Sequence, residues 1–269
     1  MKALFQLLVR EMKTEIYYFS ATGNSLYVAK FLKQTLGAEI FSIPAMLRKN
    51  IFSTDAERIG FIFPLHYLGL PLIVEEFVSK FKMPNAKYIF AIATCGVPYW
   101  GRPFTDLNEI LEKKNLRQNA SWYLRLVSNY LPYRDTAADW RIKIRYWLAE
   151  RKLHKISAQI ADNESHNTWE LFKNSCKKHH EDWKNHRADL DKNFICDVEK
   201  CVKCGLCEKV CPVKNIKRPE GSPEWQHNCV ECLSCLHVCP KQAIDLGAVT
   251  KGRKRYIHWQ IKPNELVQK

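Results

Sequence analysis

Eight of the 11 cysteines fall into two copies of one pattern, C-x2-C-x2-C-x3-C-P. The first copy runs from Cys201 to Pro212, and the second runs from Cys229 to Pro240. Three cysteines at two-residue gaps can bind one cubane cluster from a single loop, and the fourth cysteine can reach a second cluster. Structural zinc usually takes two separated C-x2-C pairs, or cysteine with histidine. The doubled pattern therefore favours two [4Fe–4S] clusters over zinc.

The other three cysteines, Cys95, Cys176 and Cys196, lie outside this pattern. Disulfide frameworks are typical of secreted chains below about 100 residues. This chain has 269 residues, of which 46% are hydrophobic, so it can build a core without disulfides. We therefore expect reduced cysteines and a cytoplasmic location.

A second chemical motif, FSATGNS, lies near the front of the chain at residues 19–25. Successive main-chain N–H groups at a helix N-terminus can bind an anion without a lysine. The motif lacks G-K-[ST], and G-x-G-x-x-G occurs nowhere in the chain, which disfavours a nucleoside triphosphate and a Rossmann-bound nicotinamide. The motif therefore predicts a phosphate-binding loop. Its candidate residues are Ser20, Thr22, Gly23, Asn24 and Ser25.

The first 130 residues alternate between apolar strand-like runs and helical patterns. This alternation predicts a parallel sheet with helices on both faces. The predicted strands are Thr14–Phe19, Glu39–Pro44, Arg58–Pro64, Lys87–Thr94 and Ala120–Val127. Helices are predicted at Asn24–Gly37, from Leu70 to Phe81 and from Pro103 to Lys114.

The region from Thr136 to about Asp191 is basic and helical in pattern, and we expect its helices to pack on the sheet. A capping box from Asn167 to Glu170 is predicted to begin the second helix. The histidine pair His179–His180 is not expected to bind metal. The predicted buried stripes are Ile142, Tyr146, Ala149, Leu153, Ile156 and Ile160, and then Trp169, Phe172, Cys176, His179 and Trp183.

The cysteine-rich region from Phe194 to Leu246 resembles bacterial two-cluster ferredoxins. In that family each cluster takes three cysteines from one motif and the last cysteine of the other motif. The resemblance implies one cluster on Cys201, Cys204, Cys207 and Cys239, and the other on Cys211, Cys229, Cys232 and Cys235. It leaves Cys196 outside both clusters, with a structural role expected.

The front of the chain resembles flavodoxins, which have a five-stranded parallel sheet in the order 2-1-3-4-5 and bind FMN at the switch point. Two later segments, PLHYLGLP after the third strand and TCGVPYWG after the fourth, occupy the positions of the flavin-ring loops. The resemblance implies that Tyr67, Tyr99 and Trp100 stack on the ring. The other implied FMN contacts are Pro64, His66, Leu68, Gly69, Thr94, Cys95, Gly96 and Gly101.

The whole chain resembles the flavodoxin–ferredoxin fusion proteins found mostly in anaerobic bacteria and archaea. This resemblance implies an α/β flavodoxin-like domain at residues 1–135 and a helical extension at residues 136–192. A small α+β two-cluster domain is expected at residues 193–250, followed by a basic tail at residues 251–269. Residues 1–11 are interpreted as a short extension and not as a targeting signal.

Two functions remain open from the sequence. The first is electron transfer between the clusters and FMN, coupling one-electron and two-electron carriers. The second is an FMN-dependent reductase of a small molecule, fed by the clusters, in which aromatic residues after strand five would roof the flavin. No proton-transfer dyad or nucleophile–base set is evident, so no catalytic residue is predicted. The candidate roof residues are Trp122, Tyr123, Tyr130, Tyr133 and Trp140.

The formal net charge is +14 at pH 7, and the chain would still be basic with two clusters and FMN bound. A basic surface suits acidic redox partner proteins. The basic segment from Lys251 to Trp259 could bind nucleic acid, but we favour a solvated or docked tail. No apolar run approaches the roughly 18–20 residues that a membrane span needs.

Overall fold

A computed structural model of the chain describes residues 12–186 and 189–268, so the predicted extension at residues 1–11 lies outside the described residues. Five parallel strands form one sheet in the order β2-β1-β3-β4-β5. This order confirms the predicted flavodoxin-like α/β fold. The strands are β1 (Thr14–Tyr18), β2 (Glu39–Ser42), β3 (Arg58–Pro64), β4 (Tyr88–Cys95) and β5 (Ala120–Arg125).

Helices cover both faces of the sheet, which explains why β3 and β4 are nearly continuous apolar runs. One face packs on α1 (Asn24–Leu36), which ends at Gly37 with φ 64°. The other face packs on α2 (Ile43–Lys49), α3 (Leu72–Lys80) and α4 (Pro103–Glu112). The sequence pattern missed α2, because Pro44 was assigned to the end of a strand when it occupies the first turn of a helix.

The helical extension contains α5 (Asp139–Ala161) and α6 (Lys173–Asn185). In the predicted α5 stripe, Ile142 and Tyr146 are only half-buried, and the later members are buried against α1. The later members are Ala149, Leu153, Ile156 and Ile160.

The predicted stripe on α6 is partly wrong. Since α6 begins at Lys173, Trp169 and Phe172 precede it, and both are exposed. The buried face is Cys176, His180 and Trp183, so His180 takes the inward position predicted for His179. These three residues follow the i, i+4, i+7 spacing of one helical face.

The cysteine-rich end is a small α+β unit, as predicted. Its strands are β6 (Phe194–Cys196), β7 (Ile216–Lys217), β8 (Glu224–Trp225) and β9 (Ile244–Leu246), paired antiparallel as β6-β9 and β7-β8. The short helices α7 (Leu206–Val210) and α8 (Ser234–Val238) carry the third cysteine of each motif. Both helices begin after a left-handed residue, Gly205 or Leu233, so the sequence repeat is also a structural repeat.

The last described residues form a segment that we call the C-terminal strap, Lys254–Gln268. It crosses α1 and buries Tyr256, Ile261 and Leu266. Ile261 and Leu266 share one hydrophobic core with α1 and with Val210 and Val238 of the cysteine-rich unit. The cysteine-rich unit also has a core of its own, which includes Phe194, Leu236 and Ile244. The boundary at residue 193 stays a prediction. In the described part of the chain, we find no helix with the length and apolarity to cross a membrane.

Candidate functional site

The eight patterned cysteines line two separate cavities. The outer cysteine site is lined by Cys201, Cys204, Cys207 and Cys239. The inner cysteine site is lined by Cys211, Cys229, Cys232 and Cys235. Each cavity thus combines three cysteines of one motif with the last cysteine of the other, because α7 and α8 pack against each other. This is the division that the ferredoxin resemblance implies.

Main-chain N–H groups point at several of the sulfur atoms. Asn215 N lies 3.2 Å from Cys211 Sγ, and Ala243 N lies 3.3 Å from Cys239 Sγ, each donor being four residues after its cysteine. Glu231 N lies 3.2 Å from Cys229 Sγ. Donors of this kind stabilise negative charge on sulfur and tune the potential of a bound cluster.

The donor set of each cavity suits an iron–sulfur cluster. Each cavity is lined by four cysteines, and thiolate sulfur is the ligand that holds [4Fe–4S] clusters in proteins.

The two cysteine sites differ in exposure. Cys204 of the outer site is exposed, whereas Cys211, Cys229 and Cys235 of the inner site are buried. Burial raises the pKa of the outer Cys207 thiol to about 11 and raises that of Cys235 well above its usual value. Both sites must lose these protons to bind iron, and the inner site has the greater desolvation to overcome.

The inner site is docked on the carboxyl edge of the sheet. Ser234 Oγ donates a hydrogen bond of 2.9 Å to Ala21 O, and His237 Nε2 donates one of 2.8 Å to Asn129 O. Glu231 accepts a hydrogen bond of 2.8 Å from the Tyr67 hydroxyl. These contacts place the inner site directly beside the predicted phosphate loop.

The predicted phosphate loop is buried, and its side chains bind their neighbours. Gly23, with φ 95°, donates from its N–H to Ser20 Oγ at 3.1 Å. Ser25 Oγ lies 2.9 Å from Thr94 Oγ1, which joins this loop to the end of β4. Thr22 Oγ1 accepts a hydrogen bond of 2.6 Å from Asn129 Nδ2.

The main chain of the loop can still hold an anion. No described residue accepts a hydrogen bond from the N–H of Asn24 or Ser25, in the first turn of α1. Buried N–H groups without an acceptor are costly, and a phosphate oxygen would supply one. These N–H groups are donors that a phosphate could use, and the phosphate-binding role of the loop stays a prediction.

The C-terminal strap covers this loop. Tyr256 Oη donates a hydrogen bond of 2.6 Å to Asn24 Oδ1, and His258 N donates one of 2.9 Å to Thr22 O. A Cβ atom added to Gly23 would lie 3.0 Å from Ile261 Cβ. Sequence reasoning missed this contact, and the only available signal was the apolar residues within a basic tail.

The two loops predicted to hold the flavin ring meet through their main chains. Arg102 N donates a hydrogen bond of 2.7 Å to Leu68 O, and Leu65 N donates one of 2.8 Å to Thr94 O. A Cβ atom on Gly101 would lie 2.7 Å from Leu68 O, so glycine permits this approach. The structure thus brings the first loop, residues 64–71, against the second, residues 94–101.

The other predicted residues of these loops lie as follows. His66 and Gly69 pair across the first loop, and burial lowers the pKa of His66 to about 4. In the second loop, Cys95 is buried with a pKa raised by burial to about 12, and Gly96 packs against Ser128. Pro64 is in register with Thr94 at the ends of β3 and β4.

The three predicted stacking rings each have an aromatic neighbour in the protein. Tyr67 stacks on Trp183 with ring centroids 4.6 Å apart and planes at 11°. Trp100 contacts Phe172, while Tyr99 contacts Tyr123. The loop backbones are therefore together, and one face of the Tyr67 ring is covered by Trp183.

Comparison with known proteins gives one family match. Residues 200–244 match the family described as 4Fe-4S dicluster domain, which confirms the predicted 4Fe–4S domain. No curated protein matches the chain.

Several solved structures are similar to the sheet region. An NAD(P)H:quinone oxidoreductase from Methanothermobacter marburgensis is 13% identical, with a TM-score of 0.37, over 54% of this chain and 97% of that one. A Bacteroides uniformis protein described as a flavoprotein is 16% identical, with a TM-score of 0.35, over 43% and 92%.

A rubredoxin oxygen:oxidoreductase from Desulfovibrio gigas is 16% identical, with a TM-score of 0.33, over 55% of this chain and 37% of that one. At these scores the similarities carry no conclusion about function. The strand order of the sheet and the family match of the cysteine-rich end stand on their own. The chain is therefore a fusion of a flavodoxin-like α/β sheet with a ferredoxin-type 4Fe-4S dicluster domain.

Proposed function

We propose that this chain is an electron-transfer protein that holds two [4Fe–4S] clusters at the outer and inner cysteine sites and FMN at the phosphate loop. The proposal rests on one observation above all: the inner site is docked beside that loop, while the outer site faces solvent. Clusters transfer single electrons, and FMN stores one or two. A chain that joins them can couple one-electron and two-electron carriers.

Exposure and charge favour electrons entering at the outer site. Cys204 is exposed, and Lys203 and Lys241 line the same cavity. Neither lysine forms an ion pair with a described carboxylate, whereas Lys200 is paired with Asp197. Free positive charge around a redox site attracts acidic partners and orients them. We therefore propose an acidic redox protein as the partner.

The phosphate loop and the strap would hold the nucleotide end of FMN. The N–H groups of Asn24 and Ser25 would donate to the phosphate, and the helix N-terminus adds a favourable field. The strap above the loop excludes water, which strengthens these hydrogen bonds. The inner site completes the enclosure through Ser234 and Ala21.

A small-molecule reductase is the second candidate. The observation that favours it is an open groove beside Tyr99, in the loop after β4, where a ligand could lie near the second flavin-ring loop. The two candidates differ in what receives the electrons, a partner protein or a bound small molecule.

Anaerobic purification with iron, sulfide and flavin analysis tests the cofactor assignment. We expect about eight iron and about eight sulfide ions per chain, from two [4Fe–4S] clusters, together with one FMN. Tightly bound zinc without sulfide would overturn the cluster assignment. Stable clusters with no flavin after FMN is supplied would overturn the phosphate-loop assignment.

Rapid mixing with a reduced viologen tests the electron route. We expect cluster bleaching first, followed by flavin reduction at a rate that does not depend on protein concentration. Because the outer site is the exposed one, Cys204→Ser should slow both steps more than Cys176→Ser, at a cysteine that lines neither cavity. Flavin reduction at an unchanged rate in a Cys204→Ser protein that has lost its outer cluster would contradict the route.

A further inference from the structure

A groove of about 330 Å³ lies on the surface between α5, β5 and the loop after β4. It contains none of the phosphate-loop residues and none of the cysteines of the two cluster sites, but it shares Tyr99 with the second predicted flavin-ring loop. Ligand pockets for small molecules begin at about this volume, roughly 300–1,000 Å³. We call it the arginine groove, and its functional lining is Tyr99, Arg125, Trp140, Arg141, Arg145 and Lys152.

The groove concentrates positive charge that the protein does not neutralise. The arginines that form ion pairs in the described part of the chain are Arg102, Arg117, Arg218 and Arg255, and none of them lines the groove. Its four cationic side chains are therefore close to one another without a carboxylate. Burial, together with the neighbouring arginines, lowers the pKa of Arg145. An anion in the groove would relieve this repulsion.

Main-chain carbonyls hold three of these cations in place. Lys152 Nζ donates a hydrogen bond of 2.8 Å to Tyr123 O, and Arg125 Nε donates one of 3.1 Å to Gly96 O. Arg145 also donates, at 3.3 Å, to Leu126 O. Carbonyl acceptors orient a cation but leave its charge uncompensated. The groove is thus arranged for a ligand before the ligand arrives, which lowers the entropic cost of binding.

The walls of the groove are aromatic and exposed. Trp140 is 60% exposed and Tyr99 is 43% exposed, although both are large apolar side chains. Ile144 and Leu148, one helical turn and two turns along α5 from Trp140, extend the apolar wall. Contiguous exposed apolar surface of this kind marks binding sites. Flat aromatic walls favour a planar ring as the partner.

We propose that the arginine groove binds a small planar aromatic anion, with its ring against Tyr99 and Trp140 and its acidic group at Arg141 and Arg145. Guanidinium groups recognise carboxylate and phosphate through paired N–H donors, which suits either acid. The proposal does not depend on the clusters or on the phosphate loop. It gives the chain a ligand site beside the edge strand β5, with no cluster-site cysteine in its lining.

Calorimetric titration of the full cofactor-loaded protein with 1-naphthyl phosphate tests the proposal. We expect one binding site, and we expect 1-naphthol and inorganic phosphate each to bind at least about tenfold more weakly, because each lacks half of the recognised chemistry. Comparable binding of 1-naphthol, or of inorganic phosphate, would overturn the aromatic-anion assignment. No binding of 1-naphthyl phosphate at millimolar concentration would overturn the site.

Variants locate the binding. Arg141→Gln and Trp140→Ala should each weaken 1-naphthyl phosphate by about tenfold, while Arg117→Gln, at an exposed arginine outside the groove, should leave it unchanged. Equal binding to Arg141→Gln and to the unchanged protein would overturn the assignment.

A competition experiment decides whether the planar aromatic anion that binds in the groove is a flavin nucleotide or another small molecule. Protein already loaded with FMN should still bind 1-naphthyl phosphate if the groove is a separate site. Loss of that binding on FMN loading would show that the groove is part of the flavin site and would overturn the proposal of an independent ligand.

Discussion

The outer and inner cysteine sites are made from the same sequence motif, yet they differ in solvent exposure and in the charge around them. The outer site has an exposed cysteine and two lysines that form no ion pair with a described carboxylate, whereas the inner site is buried against the sheet. The local geometry is the same, since both motifs place a short helix after a left-handed residue. Docking, and not the motif, makes the two sites different. A repeated motif therefore predicts what is bound, but its neighbours decide which copy meets a partner.

The largest effect should come from exchanging the last cysteine of the second motif. Cys239 is the last cysteine of the second motif and lies 28 residues after Cys211, its counterpart in the first motif. We nevertheless expect Cys239→Ser to damage the outer cluster, because Cys239 lines the outer cavity. Iron content should fall by about half, and electron paramagnetic resonance should show one remaining cluster signal. Cys176→Ser, at a cysteine that lines neither cavity, is the matched control and should retain all the iron. Loss of the inner cluster in Cys239→Ser would refute the shared arrangement.

The docking of the strap can be broken at Ile261. Its side chain is 4% exposed and packs on Gly23, so Ile261→Ala should destabilise the protein by about 3 kcal/mol through lost burial and a cavity. We also expect the proposed FMN to dissociate faster, since the cover over the predicted phosphate loop is loosened. Thermal unfolding and flavin release measure the two effects. Val249→Ala, at an exposed position, should change neither by a comparable amount.

Acid should loosen the strap through His258. Burial lowers the pKa of His258 to about 4, and its ring stacks on Tyr27 at 4.3 Å. Because the folded state holds the neutral ring, the unfolded state binds more protons between pH 6.5 and 4, and stability falls as pH falls through that range. The loss should reach about 2 kcal/mol at pH 5.

His258→Phe keeps the aromatic contact and removes the titration. The difference in melting temperature between pH 7.5 and pH 5 should therefore be smaller in His258→Phe than in the unchanged protein. His154→Phe serves as the control. An equal acid loss in His258→Phe and in the unchanged protein would contradict this prediction.

The smallest expected effect tests the difference in charge between the outer and inner cysteine sites. Lys203→Gln combined with Lys241→Gln should slow reduction by dithionite, an anionic donor, by about two- to fivefold at low ionic strength. Reduction by a cationic viologen radical should not be slowed. The effect should shrink as salt screens the exposed charges. Lys33→Gln, on the exposed surface of α1, provides the control. Equal slowing of the double variant with dithionite and with viologen would argue against electrostatic attraction.

The sequence predicted the strands of the sheet and the cysteine sites best, because their signals are local. Apolar runs such as Arg58–Pro64 matched the strand bounds. The predicted capping box from Asn167 to Glu170 was wrong: Glu170 instead accepts hydrogen bonds from Phe104 N at 2.8 Å and Thr105 N at 3.1 Å. It thus caps α4, more than 60 residues earlier in the chain. No local pattern could reveal a partner at that distance.

The same limit explains why the cover of the phosphate loop and the partner of Tyr67 were not predicted. The basic segment that begins at Lys251 left a solvated and a docked tail both open, and nothing in its sequence identified the contacts of Tyr256 and Ile261. Trp183 belongs to a helix whose inward face was assigned one residue out of place at His179. Both contacts depend on how distant elements pack, which periodicity does not report.

The hydrogen bond between Tyr256 and Asn24 spans 232 residues of sequence. Contacts with such long separation form late in folding, since the entropy of closing the intervening chain must first be offset. The predicted phosphate loop near the front of the chain thus forms early, and the C-terminal strap completes it late in folding. The cysteine-rich unit must already be in place when the strap closes. We therefore expect insertion of the proposed cofactors to have a temporal window. Iron, sulfide and FMN would enter fastest while the chain is folded but not yet closed, and protein that closes while empty should still take up added FMN, but more slowly.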